Sequence, residues 1–250
     1  MTLPTPLAIY AARESLLERG SALAASLSLP LYSGDCPDGA VHLRLAEDGL
    51  SLAGEGLSVQ GDFTKLLPRI RPANLSGELL VKAAKSKKMP ERPRAVDATA
   101  GLGEDSFLLA AAGFDVTMFE YNPVIAALLR DALDRAATTG GLCGIVSRMH
   151  LTVGDSVEEM RRLDFTPDAV LLDPMFPGRQ KSALVKKKFQ LLHHLESPCD
   201  NGEEMLSSAL ACGARRILVK RPVKGPFLGG VKPSFSLSGK AVRIDCIVRG

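Results

Sequence analysis

From residue 94 onward, apolar residues fall into short, nearly unbroken runs separated by longer stretches of helical spacing. The runs at Arg94–Asp97, Phe114–Phe119, His150–Val153, Ala169–Leu172 and Arg216–Val219 are too short for helices, and their continuous apolar character predicts strands buried on both faces. Between them the pattern predicts helices over Phe107–Ala112 (closed by Gly113), Pro123–Ala137, Ser156–Leu163, 181–195 and 202–212. Asn122 is placed to cap the second of these, with Pro123 at its first turn. Strand and helix in strict alternation predict an α/β fold, a mostly parallel sheet with helices on both faces. Ser234–Leu237 and Ala241–Val248 flank Ser238-Gly239-Lys240 and predict a terminal antiparallel hairpin.

The first ninety residues follow a different pattern. Thr5-Pro6 reads as a cap and first helical residue, opening a helix through Glu18 that Gly20 ends. Between residues 29 and 63, Val41, Leu43 and Leu45 alternate with polar positions, Glu47-Asp48-Gly49 marks a turn, and Leu50–Leu52 and Leu57–Val59 continue in short pieces. This predicts a small β-rich module. After Pro68 and Pro72, Ser76 is placed to cap a helix over Gly77–Lys88 with Lys82, Lys85 and Lys88 on roughly one side, ended by Pro90 and Pro93. The expected organisation is a small N-terminal α+β module (1–66), a basic linker helix (67–93) and a main domain (94–250).

Charge adds a partner to this picture. The net charge is only +3, yet residues 64–94 hold nine Lys/Arg against two acids, 179–194 hold five against none, and 215–249 hold nine against one. These segments sum to +20 and leave −17 for the rest of the chain, a segregation that points to a polyanionic partner. Cys36, Cys143, Cys199, Cys212 and Cys246 are scattered, with no CxxC pair, which argues for reduced thiols rather than a disulfide framework or zinc site. His193-His194 on the basic helix reads as a surface or packing pair, so no metal is expected. Early prolines and Arg13-Glu14 do not make a secretory signal, and no apolar run approaches a membrane span. A cytoplasmic protein is expected.

The candidate chemistry lies where the predicted strands end, since ligands of doubly wound sheets bind there. Strand one runs into Asp97-Ala-Thr-Ala-Gly101-Leu-Gly103-Glu104-Asp105-Ser106, a glycine turn feeding a helix start. Such a turn lets the backbone approach a ligand and leaves N–H groups open. Strand two ends at Glu120, placed to accept the two hydroxyls of a ribose. Strand three ends at Asp155-Ser156, placed to meet an adenine edge or to cap the next helix. Ser106 stands where a dinucleotide fingerprint needs its third glycine, and Glu104 and Asp105 would repel a pyrophosphate. A cationic nucleoside without phosphates suits this loop better, and S-adenosylmethionine, with its sulfonium and α-ammonium, is such a ligand.

Strand four ends in Asp173-Pro174-Met175-Phe176-Pro177. This resembles the (Asp/Asn/Ser)-Pro-Pro-(Tyr/Phe) motif of amino-directed methyltransferases, with Met175 in place of the second proline. An exocyclic amine is a poor nucleophile because its lone pair is delocalised into the ring. Asp173 and the Pro174 carbonyl can accept its two N–H bonds and turn the lone pair toward a methyl group, while Phe176 holds the base by stacking. Lys186-Lys187-Lys188 follow closely and suit a nucleic-acid backbone. The residues leave other readings open. A DNA-adenine or protein-glutamine methyltransferase could use the same tetrapeptide. An NAD-dependent oxidoreductase would lack the third glycine, and a non-catalytic RNA-binding protein would leave the strand-end carboxylates unexplained.

Taken together, Asp97-Ala-Thr-Ala-Gly-Leu-Gly, Glu120-Tyr-Asn-Pro, Leu172-Asp-Pro-Met-Phe-Pro, Lys181-Ser-Ala-Leu-Val-Lys-Lys and Val219-Lys-Arg-Pro resemble the ribosomal RNA small subunit methyltransferase J family. The match is good over about Pro93–Arg221 and extends to the first ninety residues only in general layout. The resemblance implies a Rossmann-like S-adenosylmethionine-dependent methyltransferase core that methylates guanine N2 in 16S rRNA. It implies cofactor contacts at Glu104-Asp105, Glu120-Tyr121, Asp155-Ser156 and Asp173. At 104 and 121 the family can carry basic residues, which puts backbone rather than side-chain contacts at those two positions here. RNA contacts are expected from Lys181, Lys186, Lys187, Lys188, Lys220 and Arg221.

Overall fold

The computed structural model describes residues 7–36, 40–174, 191–192, 195 and 201–249. By its contacts the chain divides into two units, one of Met1–Asp62, Asn122–Arg135 and Gln180–Ser197, the other of Phe63–Tyr121, Ala136–Arg179 and Pro198–Gly250.

The first unit carries a five-stranded sheet. Its strands are β1 (Ile9–Ala11), β2 (Leu31–Ser33), β3 (His42–Ala46), β4 (Gly49–Gly54) and β5 (Leu57–Val59), in the order β2-β1-β3-β4-β5. β1 is parallel to both β2 and β3, and β3–β4–β5 form an antiparallel meander. Leu43 faces Leu52 and Leu45 faces Leu50 across the β3–β4 ladder, all four buried, which is what period-two alternation demands of a sheet with one covered face.

The N-terminal helix begins later than the sequence suggests. Thr5-Pro6 lies outside the described residues. Ile9 and Ala11 are completely buried in β1, and helix α1 runs Leu17–Leu27 after a short 3-10 turn. An apolar run with no internal period served the sheet instead of a helix. Gly20 does not stop α1 but sits inside it, where an added Cβ would come within 3.0 Å of Leu31 Cδ1. Its role is close approach of helix to strand, and α1 ends instead at Ser28 in the left-handed region, φ 53°.

The second unit carries a seven-stranded sheet. β6 (Arg94–Asp97), β7 (Asp115–Glu120), β8 (Met149–Val153), β9 (Ala169–Leu172) and β10 (Arg216–Pro222) are parallel. β11 (Phe235–Ser238) and β12 (Val242–Val248) form the terminal hairpin, with β12 antiparallel to β10. The order is β11-β12-β10-β9-β6-β7-β8, so the strand order reverses between β6 and β9, and a crevice at their carboxyl ends is the expected ligand position.

Two short helices, α2 (Pro72–Leu75) and α3 (Leu79–Ala84), precede β6. α4 (Glu104–Ala111) follows it, α5 (Pro123–Ala137) and α6 (Cys143–Val146) lie in the chain between β7 and β8, α7 (Ser156–Arg161) follows β8, and α8 (Gly202–Ala211) precedes β10. Val96, Val170, Leu172, Ile217 and Val219 of the sheet share a core with Val157 and Met160 of α7 and Leu206 and Ala209 of α8. Asn122 caps α5 as its sequence implies, accepting from Val124 N at 2.9 Å. The helix expected over 181–195 lies almost wholly outside the described residues.

The basic linker helix is shorter than its lysine spacing suggests. Ser76 does not cap it: its hydroxyl donates back to Ala73 O at 3.1 Å, and the residue before α3 is Glu78. α3 buries Leu80, Val81, Ala83 and Ala84, then Lys85 turns extended. The segment stays helical only while it has apolar residues to bury, so Lys82, Lys85 and Lys88 do not share one helix face. Arg216 takes one of the end carbonyls of α3, donating to Ala83 O at 3.0 Å. No helix among the described residues is long and apolar enough to cross a membrane.

Within the first unit, Asp131 of α5 is a buried carboxylate shared by two guanidiniums. Arg19 of α1 pairs with its Oδ1, and Arg135 Nε donates to Oδ2 at 2.8 Å. Removing the carboxylate takes away the charge-assisted hydrogen bonds of two guanidiniums that keep access to water. Asp131→Ala should therefore lower the unfolding free energy by about 2 kcal/mol, measured by urea denaturation. A loss under about 0.5 kcal/mol would show the pair to be surface-like.

Candidate active site

β6, the middle one of the five parallel strands, ends at Asp97, which has only 1% of its surface exposed. A carboxylate there has to find donors, and it finds them locally. Its Oδ1 accepts Thr99 N at 3.1 Å and Thr99 Oγ1 at 3.4 Å, and its Oδ2 accepts Ser106 Oγ at 2.6 Å. Ser106, itself fully buried in α4, thus replaces the third glycine of a dinucleotide loop with a hydroxyl that ties the helix to the strand. Thr99 Oγ1 also accepts the Asp173 N–H at 2.9 Å, carrying the connection to the end of β9.

The loop between β6 and α4 is anchored to the strands on either side. Ala98 N donates to Leu171 O at 3.0 Å, Ala100 N to Phe119 O at 3.1 Å, and Gly101 N to Glu120 Oε2 at 2.9 Å. Gly101 (φ 54°) and Gly103 (φ 78°) lie in the left-handed region, which glycine enters without strain. Glu104 and Asp105 fill the first turn of α4, where carboxylates complement the helix dipole.

Lys220, on β10, closes the cluster. Its ammonium donates to Asp105 Oδ2 and lies 3.2 Å from Asp173 Oδ2. Burial works against the charge, but the two carboxylates outweigh it and hold the Lys220 pKa above its ordinary value. Asp97 moves the other way from a normal carboxylate: burial raises its pKa from 3.8 to about 6. The Ser106 hydrogen bond opposes the rise, Asp105 adds to it, and the Thr99 N–H and Lys220 oppose it. Arg69, paired with Glu78 at 2.8 and 2.9 Å, also feels the charges of Asp105 and Glu104.

The structure therefore brings Asp97, Gly101, Gly103, Asp105, Glu120, Asp173 and Lys220 together around the point where strand order reverses. Asp155 caps α7, accepting Val157 N at 2.9 Å through Oδ1, with Ser156 buried behind it. Tyr121 is 77% exposed. Pro174 is buried beside Asp173, whereas Phe176, Lys181, Lys186, Lys187 and Lys188 lie outside the described residues.

The two basic residues expected from β10 depart from a phosphate-contacting role. Lys220 turns to the two carboxylates. Arg221 is 1% exposed and donates to Pro226 O at 2.9 and 2.6 Å. Burial, then the charge of Arg243, pushes its pKa down. Sequence reasoning missed Thr99, for which no local signal exists. It noticed Ser106 only as a departure from a glycine pattern. Among the described residues no group of three His, Cys, Asp or Glu is placed to hold a metal ion.

The arrangement presents carboxylate acceptors on three strand ends and one ammonium between Asp173 and Asp105 of the α4 first turn. It can hold a cationic ligand bearing hydroxyls, and it can accept the N–H bonds of an amine at Asp173 and Pro174.

Comparison with known proteins agrees with this chemistry. A family model described as "Putative SAM-dependent methyltransferase" matches residues 29–249. The ribosomal RNA small subunit methyltransferase J of Thioalkalivibrio sulfidiphilus is 43% identical over 254 residues, covering 98% of this chain and 99% of that one. Its namesake from Pseudomonas fluorescens is 41% identical over 226 residues, covering 88% and 85%. A crystal structure of a SAM-dependent methyltransferase from Neisseria gonorrhoeae superposes with a TM-score of 0.75 at 31% identity, covering 96% of this chain and 95% of that one.

The raised Asp97 pKa has a measurable consequence. A folded carboxyl that binds its proton more tightly than the unfolded chain stabilises the fold below the unfolded value, and that contribution is lost as pH rises. Between pH 4 and about 6, the parent should lose stability relative to Asp97→Asn, by up to roughly 3 kcal/mol. Lys220→Met should move the midpoint upward, because an opposing charge is removed. Urea unfolding at stepped pH reads both, and a pH-independent difference between parent and Asp97→Asn would show that Asp97 does not titrate in this range.

Proposed function

The chain belongs to the ribosomal RNA small subunit methyltransferase J family of SAM-dependent methyltransferases, and from that membership we propose that it methylates the exocyclic N2 of a guanosine in 16S rRNA. Bound S-adenosylmethionine supplies a methyl group on a sulfonium. The residues at the strand ends fit such a ligand: buried Asp97 and Glu120 offer acceptors to hydroxyls and to an ammonium. The positive-φ glycines bring the backbone close, and the acidic first turn of α4 disfavours a pyrophosphate. In this reading Asp97, Gly101, Gly103, Glu104, Asp105, Glu120, Tyr121, Asp155, Ser156 and Asp173 form the cofactor site.

The observation that carries the reading is Asp173-Pro174 at the end of β9. Its backbone N–H is fixed by Thr99 Oγ1 and its carboxylate is held by Lys220. Asp173 and the Pro174 carbonyl accept the two N–H bonds of the guanine amine and direct its lone pair, and the Asp173 carboxylate receives the proton that the amine sheds. Phe176 stacks on the base, and Lys181, Lys186, Lys187 and Lys188 meet phosphates. Catalysis is then chiefly positioning. The rRNA substrate makes the reaction cytoplasmic, and the same reading assigns the chemistry to residues 94–250 with 1–66 and 67–93 as accessory segments.

Methyl transfer from labelled S-adenosylmethionine to 16S rRNA, followed by nucleoside mass spectrometry, should yield N2-methylguanosine. Label appearing in DNA or in protein glutamine instead would overturn the substrate. Asp173→Ala should lower kcat about 100-fold or more, and Gly101→Val should abolish cofactor binding while circular dichroism stays unchanged. Cofactor affinity unaltered in Gly101→Val would remove the glycine loop from the cofactor site.

A further inference from the structure

We propose that the loop Val223–Lys232 docks the RNA strand flanking the methylated guanosine, with Phe227 as a stacking face for one base and Lys224 and Lys232 as phosphate contacts. The proposal rests on the RNA substrate argued above and adds a second place where that RNA is held.

The loop leaves the carboxyl end of β10, two residues after Lys220, and so emerges on the same side of the sheet as the carboxylate cluster. Its root adjoins the Asp173-Pro174 motif. A Cβ built on Gly202 would lie 3.0 Å from Leu228 Cδ1 and 3.9 Å from Pro174 Cβ, so Leu228 and Pro174 both border Gly202.

The loop is braced from below by two buried arginines. Arg221 donates to Pro226 O through Nε and Nη2. Arg243 donates to Val223 O at 2.6 Å and is itself gripped by Asp245 at 2.9, 3.1 and 3.0 Å. Leu228 is buried and plugs the loop into the core.

With that bracing, the fold holds apolar side chains outward. Val223 is 37%, Phe227 40% and Val231 38% exposed. The Arg243 guanidinium lies 5.0 Å from the centre of the Phe227 ring, fixing the ring as a cation–π pair. Buried guanidiniums are expensive to desolvate, and a loop that needed only to turn would not require two. Exposed Lys224 and Lys232 bracket the aromatic, and from residue 205 to residue 244 the chain has eight Lys/Arg and no acid. An aromatic ring on a rigid cationic loop is the surface that single-stranded nucleic acid binds, by stacking on the ring and pairing with the cations.

Fluorescence anisotropy with a fluorescein-labelled single-stranded oligoribonucleotide of mixed sequence, over a salt series, tests this directly. Phe227→Ala should weaken binding about 5- to 100-fold and raise the KM for naked 16S rRNA, with cofactor affinity unchanged. Phe227→Trp should restore both. The Lys224→Ala/Lys232→Ala double variant should flatten the log–log salt slope by about 1.4, roughly 0.7 per phosphate contact. Parental affinity and slope in Phe227→Ala and the double variant, with the parent active on rRNA, would overturn this docking site alone. A loss seen on assembled small subunits but not on naked rRNA would also overturn it, assigning the loop to a ribosomal protein. A parent inactive on rRNA would take the substrate reading down with it.

Discussion

A carboxylate sealed at the end of β6, the middle parallel strand, sets the terms for everything around it. Asp97 is withdrawn from water, so its oxygens must be met by donors that the nearby chain can supply. Ser106 reaches back from α4, and Thr99 reaches down from the loop. The Thr99 hydroxyl then accepts the Asp173 N–H across the gap where strand order reverses. Three segments separated in sequence are thereby locked to one buried group, and the glycine loop between them has little freedom left. The raised pKa of Asp97 is the electrostatic side of the same arrangement, since burial disfavours the charge that the donors are there to hold.

Lys220 gives the site a second fixed point. A lysine ammonium between Asp105 and Asp173 is a charge-assisted link from α4 to the strand-four motif. It also keeps two neighbouring carboxylates from repelling one another. The balance of charge that results, several acids against one ammonium, suits a cationic ligand and works against one carrying phosphates. Positive charge reappears at the surface in the loop beyond β10, where Lys224 and Lys232 are exposed. Charge therefore divides along one strand: Lys220, turned to the crevice, is neutralised by acids, and the lysines past the strand end face solvent.

Much of the basic character that suggests a polyanion is engaged by partners within the chain, some of them at the surface. Arg69 pairs with Glu78, Arg92 with Asp115, and Arg215 with Asp168. Arg94 lies over the Phe165 ring at 3.4 Å, and Arg216, Arg221 and Arg243 hold backbone carbonyls. Guanidiniums with several donors in a planar fork are suited to such bracing, and the lysines are left to the surface more often than the arginines.

Local pattern was enough for the elements that satisfy themselves locally. Asn122-Pro123 starts α5 because a cap needs only its own next turn. The buried runs at Ala169–Leu172 and Asp115–Glu120 are strands because nothing else hides so short an apolar stretch. The strand-end acids and the glycine loop were legible for the same reason: strand–turn–helix is a local grammar, and the ligand crevice follows from it. What the sequence could not decide were the features that depend on a partner distant in the chain. Ile9 and Ala11 became a strand only because β2 and β3 lie on either side of them. Gly20 proved to be a contact with Leu31 and not a stop. The linker helix ended where its apolar residues ran out. Charge was countable from composition, but its allocation was not. Lys220 lies 115 residues from Asp105 and Arg216 lies 133 from Ala83, and only the folded chain brings such groups within hydrogen-bond range, where burial and geometry decide which cations brace the fold and which remain for a ligand.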